Sequence, residues 1–274
     1  MTGFGYNVNG FGAYASRGVI VDASAAATTN LETIFNNAVA GSWASGTPKT
    51  YNIASGITMG IITAPASMGG TLEIEHEGNI QGEGGNSSAE AGGTAMTIQS
   101  TGITINMASG STISGGAGAG GAGGTGGQGT YISDAGWQGC NPGCTTYSVV
   151  CGCCCNGCSN EGSPGAIIRC GNVNITSGGA GGSFGNGLGY NQAQSNGGSG
   201  GSGGNSAGAG GAGGNGGSSF ASAGSNGSTG ANGNYSNGAA GASGGAAGRA
   251  ITFTGVSAYT IIGTNSGTIH GAYT

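Results

Sequence analysis

Hydrophobic positions in this chain follow more than one rhythm. Between Thr29 and Gly41 they fall at helical intervals, with Leu31, Ile34, Phe35, Ala38 and Val39 following a Thr29-Asn30-Leu31-Glu32 stretch of capping-box spacing. One amphipathic helix is expected over about 30–40, ended by Gly41, its apolar face packed on later strands or on a partner. From Tyr51 the alternation becomes twofold. Tyr51-Asn52-Ile53, Gly56-Ile57-Thr58-Met59 and the run Thr71 to Glu77 read as strands. In the last, Leu72 and Ile74 share one face with His76, while Glu73, Glu75 and Glu77 share the other. His76 reads as a core histidine. Three carboxylates on one face are the oxygen ligands calcium takes, but a solvated strand face is the commoner arrangement, and neither metal nor cofactor is expected.

The strand pattern then repeats. Gly93-Thr94-Ala95-Met96-Thr97-Ile98 leads through Thr104-Ile105 to Gly110-Ser111-Thr112-Ile113-Ser114, and Gly248-Arg249-Ala250-Ile251-Thr252-Phe253 leads through Thr260-Ile261 to Gly267-Thr268-Ile269-His270. Gly165 to Gly179 is a shortened copy, and Gly78-Asn79-Ile80-Gln81-Gly82 is another closing element.

Elsewhere the apolar signal fades and glycine recurs with period three. In 197–205 only every third residue carries a side chain; the beat continues at Ala209, Ala212 and Asn215, and an earlier run over 115–129 carries Ala119, Ala122, Thr125 and Gln128. Later it thins to one glycine per triplet, at Gly224, Gly227, Gly230 and Gly233, then Gly238, Gly241 and Gly244. Period three belongs to the polyproline-II helix, which has no internal hydrogen bonds. Buried backbone groups need partners, so such helices must pair sideways; collagen is excluded because the chain has 4 prolines. The packed alternative is a polyglycine-II bundle. A helix reading Gly-Gly-X has two bare faces and fits inside; one reading Gly-X-Y has one and belongs outside. On this rule 197–217 is expected to be an inner helix and 224–248 to include an outer one. Gly201→Val or Gly204→Val is expected to harm solubility more than Ser202→Val. A flexible Gly/Ser linker would need no such phase.

The fold class that follows is mostly β and irregular, with short strands alternating with a polyglycine-II bundle and one short N-terminal helix. Three parts are expected: an attachment segment over 1–50, a β-rich part over 51–114, and the bundle with closing strands over 115–274.

Composition narrows the function. Only 5% of residues are charged, net charge is −5 and the four basic residues (Arg17, Lys49, Arg169, Arg249) lie far apart, which argues against phosphate-backbone binding and so against a nucleic-acid partner. No apolar run approaches a membrane span. The start, Met1 to Tyr6, lacks the pattern of a signal peptide. Eight cysteines are awkward without secretion, unless the protein assembles in a cytosol and is released by lysis, as a virion component would be.

All eight cysteines lie in one loop from Tyr131 to Cys170, together with Trp137 and Tyr147: Cys140, Cys144, Cys151, Cys153, Cys154, Cys155, Cys158 and Cys170. Disulfide stapling fits this loop, with connectivity unreadable from sequence; the Cys155-Asn156-Gly157-Cys158 spacing also fits zinc or thiol exchange. Two further inserts break the glycine phase, Phe184 to Gln194 with Leu188 and Tyr190, and Phe220 to Asn237 with Phe220 and Tyr235. Aromatics beside amides on a rigid support suit binding. Tyr131, Trp137, Tyr147, Leu188, Tyr190, Phe220 and Tyr235 are therefore the candidate receptor-binding residues.

The order of strand, Asn/Ser-x-Ile-x-Gly turn and glycine run, from Thr71-Leu72-Glu73-Ile74 through Gly78-Asn79-Ile80-Gln81-Gly82 to Gly110-Ser111-Thr112-Ile113-Ser114-Gly115-Gly116, resembles the glycine-rich adhesins that cap the long tail fibres of T-even-like phages, and related siphophage tail-tip domains. The resemblance spans about 51–274. It implies a polyglycine-II sandwich whose variable loops, here 130–164, 183–195 and 219–237, touch a bacterial surface receptor. The cysteine-packed loop and the N-terminus depart from it; Gly3-Phe4-Gly5-Tyr6-Asn7-Val8 looks like the opening of marine-phage virion proteins. The expected partners are a tail-fibre or tail-tip virion protein, met through the N-terminal segment, and a host outer-surface protein or glycan. The expected location is the virion, outside the cell after lysis, with no membrane insertion. A purely architectural virion protein and an ice-binding protein are the other readings. Catalysis is not expected: the two histidines are His76 and His270, and no nucleophile elbow is present.

Overall fold

The computed structural model describes residues 18–134, 171–256 and 267–273. Its short elements are β1 (Val19–Asp22), β2 (Thr28–Asn30), α1 (Leu31–Ala38), β3 (Lys49–Ile53), β4 (Thr58–Met59), β5 (Ile61–Ala64), β6 (Leu72–His76) and β7 (Asn79–Gln81), then β8 (Met96–Ile98), β9 (Ile103–Met107), β10 (Thr112–Ser114), β11 (Gly129–Asp134), β12 (Gly171–Thr176), β13 (Ile251–Phe253) and β14 (Thr268–His270). Three four-stranded sheets have the orders β1-β3-β6-β9, β4-β7-β10-β14 and β2-β5-β8-β13, and every pairing within them is parallel. The chain visits the sheets in a fixed rotation, so it winds as a three-faced β-solenoid.

Period-two patterning explains the winding. Each strand turns alternate residues inward, and in-register parallel stacking puts like on like: Val21, Tyr51, Ile74 and Ile105 form one ladder, Met59, Ile80, Ile113 and Ile269 a second, and Thr29, Ile62, Met96 and Ile251 a third. Most of these side chains are fully buried in one core, and each such Ile contributes about 1.5–3 kcal/mol relative to exposure. Corners are tight. A Cβ on Gly60, between β4 and β5, would lie 2.0 Å from the Ala27 carbonyl oxygen. On the outer face the polar residues ladder too: Asn52 Nδ2 donates to Asp22 Oδ1 at 2.9 Å, and Asn106 Nδ2 donates to Glu73 and Glu75 at 2.6 and 2.8 Å. Amide donors thus meet the carboxylate row.

The repeat noted in the sequence is a stacking repeat. Met96 pairs with Ile251, Ile98 with Phe253, and Ile113 with Ile269. The shortened copy behaves differently, since its Val173 to Thr176 lie in β12, which runs antiparallel to β11 outside the solenoid.

Helix α1 packs against β1, β2 and β5. Its cap is Asn30, whose side chain accepts from Thr33 N at 3.2 Å. Thr29 does not serve, because it is a buried β2 residue in register with Ile62. Leu31 and Phe35 enter the core, where Phe35 lies 6.2 Å from Trp43 and edge-on to Tyr51 at 6.4 Å. Ala38 and Val39 were expected on the same face but are exposed; the helix ends at Ala38 and Val39 is already extended. Lys49 is buried with no counter-ion among the described residues, its Nζ donating to the carbonyls of Ser45, Thr47 and Gly69 at 3.2, 3.0 and 2.7 Å. Burial lowers its pKa.

His76 stacks between Ile53 and Met107 in the core. Its Nε2 donates to the Thr112 carbonyl at 2.9 Å, which leaves Nδ1 as the acceptor nitrogen, buried and without a partner. Desolvation therefore holds its pKa below 6.5, against the smaller opposing effect of the Thr112 bond. Above about pH 6.5 the ring is neutral folded or unfolded. As pH falls below that, the unfolded chain takes a proton the native ring refuses, and stability drops by up to about 1.4 kcal/mol per pH unit until the lowered native pKa is reached. Thermal melts between pH 7 and 5 should show the decline, and His76→Met should flatten it. A variant with the same slope would contradict this assignment. Glu90 acts lower on the scale. Hydrogen bonds, first from Asn86 N and then from Ser87, depress its pKa, so its contribution is present above pH 4.5 and lost as pH falls further.

Between β10 and β13 the chain leaves the solenoid and makes six extended glycine-rich passes: helix I (115–128), II (177–188), III (195–204), IV (207–217), V (222–233) and VI (236–248). Bonds between them recur every third residue. Gly118, Gly121, Gly124 and Gly127 N donate to Ser222, Ser225, Ser228 and Ala231 O of helix V; Gly120, Gly123 and Gly126 N donate to Gly185, Gly182 and Gly179 O of helix II. Helix I in turn accepts from Gly208, Gly211, Gly214 and Gly217 of helix IV and from Ala239, Ala242 and Gly245 of helix VI. It is the central rod. Near the solenoid its remaining side is covered by 82–93, where Gly85 N donates to Ala117 O and Ala119 N to Glu90 O.

Helix I, 115–128, is the innermost pass; Gly208 and Gly211, packed on helix V, and Gly210 and Gly213, packed on helix II, also give two bare faces to the second half of the expected inner stretch, 197–217. That stretch is two passes, III and IV, reversed at Asn205-Ser206, where Ser206 has φ +59°. Helices V and VI are both outer, and each spends its one glycine row on a neighbour: Gly224 and Gly227 face the carbonyls of Ala119 and Ala122, Gly241 and Gly244 those of Gly227 and Gly224. Gly201 is also reassigned. A Cβ there would have its nearest neighbour at 3.3 Å, whereas on Gly200 it would fall 2.1 Å from Gly210 O. Gly204 meets a Thr176 side chain at 2.9 Å rather than backbone. The intolerant row of helix III is thus Gly197, Gly200 and Gly203.

Candidate functional site

Antiparallel winding gives the bundle two ends of different character. The near end meets the solenoid, where Gly115 N donates to His270 O and Gly248 N to Gly116 O. The far end gathers the β11–β12 hairpin and the reversals at 204–207 and 233–236. Residues 135–170 enter and leave through that hairpin.

The sequence-chosen residues divide between these ends. Leu188 and Tyr190 lie at the near end, where Leu188 O accepts from Ala117 N and Tyr190 N donates to Gly82 O at 3.0 Å. Gln192 locks the same turn by donating to Gly85 O and Gly187 O at 3.2 and 2.8 Å. Phe220 precedes Ala221, whose N–H donates to Gly115 O, so it too belongs to the joint. All three are half-buried. Their inserts break the glycine phase because the chain must reverse there against the solenoid. Tyr131 and Tyr235 lie at the far end. Trp137, Tyr147 and the eight cysteines (Cys140, Cys144, Cys151, Cys153, Cys154, Cys155, Cys158 and Cys170) fall outside the described residues, as does the N-terminal segment through Arg17.

Far-end geometry is fixed by one asparagine. Asn234 Oδ1 accepts from Thr130 N at 2.7 Å, its Nδ2 returns a bond to Thr130 O at 2.9 Å, and its own N–H donates to Ser206 O at 3.0 Å. It ties β11, the 204–207 reversal and the 233–236 reversal together. Ser236 adds a bond from Gln128 N to its Oγ at 2.9 Å, and Thr176 Oγ1 donates to Asn205 O at 2.6 Å. Tyr235 sits on this braced turn, its N–H on Gln128 O at 3.2 Å and its side chain 61% exposed. Ile175 of β12 is 60% exposed. Sequence reading missed Gln128, Thr130, Asn205 and Asn234; the signal for three of them was an amide residue at the point where a glycine run ends.

Among the described residues of this end one is charged, Asp134 of β11. Between Gly93 and Gly248 the described residues include no Asp, Glu, Lys, Arg or His other than Asp134. Among the described residues no three His, Cys, Asp or Glu side chains gather to hold a metal, and no helix is long and apolar enough to cross a membrane.

No protein-family model and no curated protein matches the sequence. Among solved structures, the gp37-gp38 adhesin tip complex of the bacteriophage S16 long tail fibre is similar, with 16% sequence identity and a TM-score of 0.42, covering 94% of this chain and 82% of that one.

Proposed function

We propose that this chain is a non-enzymatic phage adhesin at a tail or fibre tip, which grips a host surface protein or glycan with the far end of its glycine bundle. The observation that carries this reading is the convergence of the hairpin and two reversals at one end, braced by Asn234 and bearing an exposed tyrosine. A bundle bonded on every side has little freedom to lose when its tip engages a partner, which favours affinity. The segment before β1, remote in sequence from that tip, supplies the attachment to the virion. Purified protein added before infection should block adsorption of the phage that carries it, in a dose-dependent way. Undiminished adsorption at saturating protein would instead favour an architectural role.

A further inference from the structure

Resting on that reading, we propose that the far end recognises an uncharged carbohydrate, with Tyr235 as its stacking platform and the Gln128 and Asn205 amides beside it as hydrogen-bonding groups. The platform is rigid. Tyr235 follows Asn234, whose side chain is spent on Thr130, and precedes Ser236, whose N–H and Oγ are both bonded to Gln128. The turn needs no ordering on contact, and an exposed aromatic face takes the C–H edge of a sugar ring through its quadrupole. The backbone that carries both amides adjoins the turn. Tyr235 N donates to Gln128 O, and Asn234 N donates to Ser206 O, next to Asn205. Both Gln128 and Asn205 are exposed, and their side-chain amides make no hydrogen bond among the described residues. Each offers a donor and an acceptor, the pair a hydroxyl needs.

Two observations favour a sugar over a protein surface. Among the described residues of this end, Tyr235 and Ile175 are the exposed large apolar side chains, whereas a stable protein interface buries about 800 Å² per partner around several anchors. Among the described residues of this end the one charge is the acidic Asp134, which supplies no cation to hold an acidic polysaccharide.

The test uses the full chain on a panel of immobilised bacterial surface polysaccharides, neutral and acidic, at 50 and 500 mM NaCl. Expected is binding to a neutral polysaccharide, changed less than about twofold by salt and weakened about tenfold or more by Tyr235→Ala, with Gln128→Ala and Asn205→Ala weakening it less. Tyr190→Ala, altered at the solenoid joint, should bind as the parent does. Binding to acidic polymers alone, equal binding by Tyr235→Ala, or no binding to any neutral polymer would each overturn the proposal. If the protein still blocks phage adsorption in that last case, and protease treatment of the cells abolishes the block, the receptor is a protein and the adhesin reading stands without the sugar.

Discussion

Gly124→Ala should cost on the order of 3 kcal/mol or more and leave the protein largely insoluble, the loss expected when a close-packed interior is forced apart. The added methyl would sit 1.9 Å from Ala239 O of helix VI. Relief requires helix I and helix VI to separate by more than an ångström. Gly124 N is meanwhile bonded to Ser228 O at 2.9 Å, and Gly124 O accepts from Gly211 N at 2.8 Å, so any shift strains two further rods. Gly201→Ala provides the contrast. Its nearest neighbour is Ala180 N at 3.3 Å on the open side of helix III, and about 0.4–1 kcal/mol gained from a stiffer unfolded chain offsets a slight shift. Denaturant midpoints and soluble yield of the two variants are the readout, and equal behaviour would remove the case for a central rod.

Cutting the bundle away should abolish host binding while sparing the solenoid. Gly116 O and Gly248 N are already one hydrogen bond apart at 2.8 Å, so residues 117–247 are replaceable by a two-residue Asn-Gly turn. The β8–β13 and β10–β14 pairings close on either side of that junction. The shortened protein should unfold cooperatively with a β-rich circular dichroism spectrum, yet fail to compete for adsorption at any concentration. Retained competition would move the receptor site to the solenoid.

Local rules recovered much of this architecture. The triplet phase and the bare-face rule follow from steric exclusion at a glycine Cα, and they hold at Gly118, Gly121 and Gly124 as at Gly224 and Gly227. The alternation in 72–76 and the repeat of the strand pattern were legible for a similar reason, because in-register stacking demands matching side chains. What the pattern left open is direction. A run of Gly-Gly-X reads the same whether the chain continues or doubles back, so the reversal at Asn205-Ser206 passed for phase. The same blindness placed Leu188, Tyr190 and Phe220 with Tyr131 and Tyr235. An aromatic interrupting a glycine run marks a turn, but which end of the bundle the turn occupies depends on the number of passes before it. The solenoid was legible only as a succession of short strands, since strands of two to five residues carry no mark of the face they join.

Amide hydrogen exchange along helix V tests the polyglycine-II bundle most directly. Gly224, Ser225, Gly227, Ser228, Gly230 and Ala231 each donate to a backbone carbonyl of a neighbouring rod, whereas Asn226 and Thr229 N–H groups have no partner among the described residues. The account predicts slow exchange at the first six and fast exchange at the other two, a beat of two protected and one open. Uniformly fast exchange would mean a flexible linker, and alternation with period two would mean a sheet; either result contradicts the bundle.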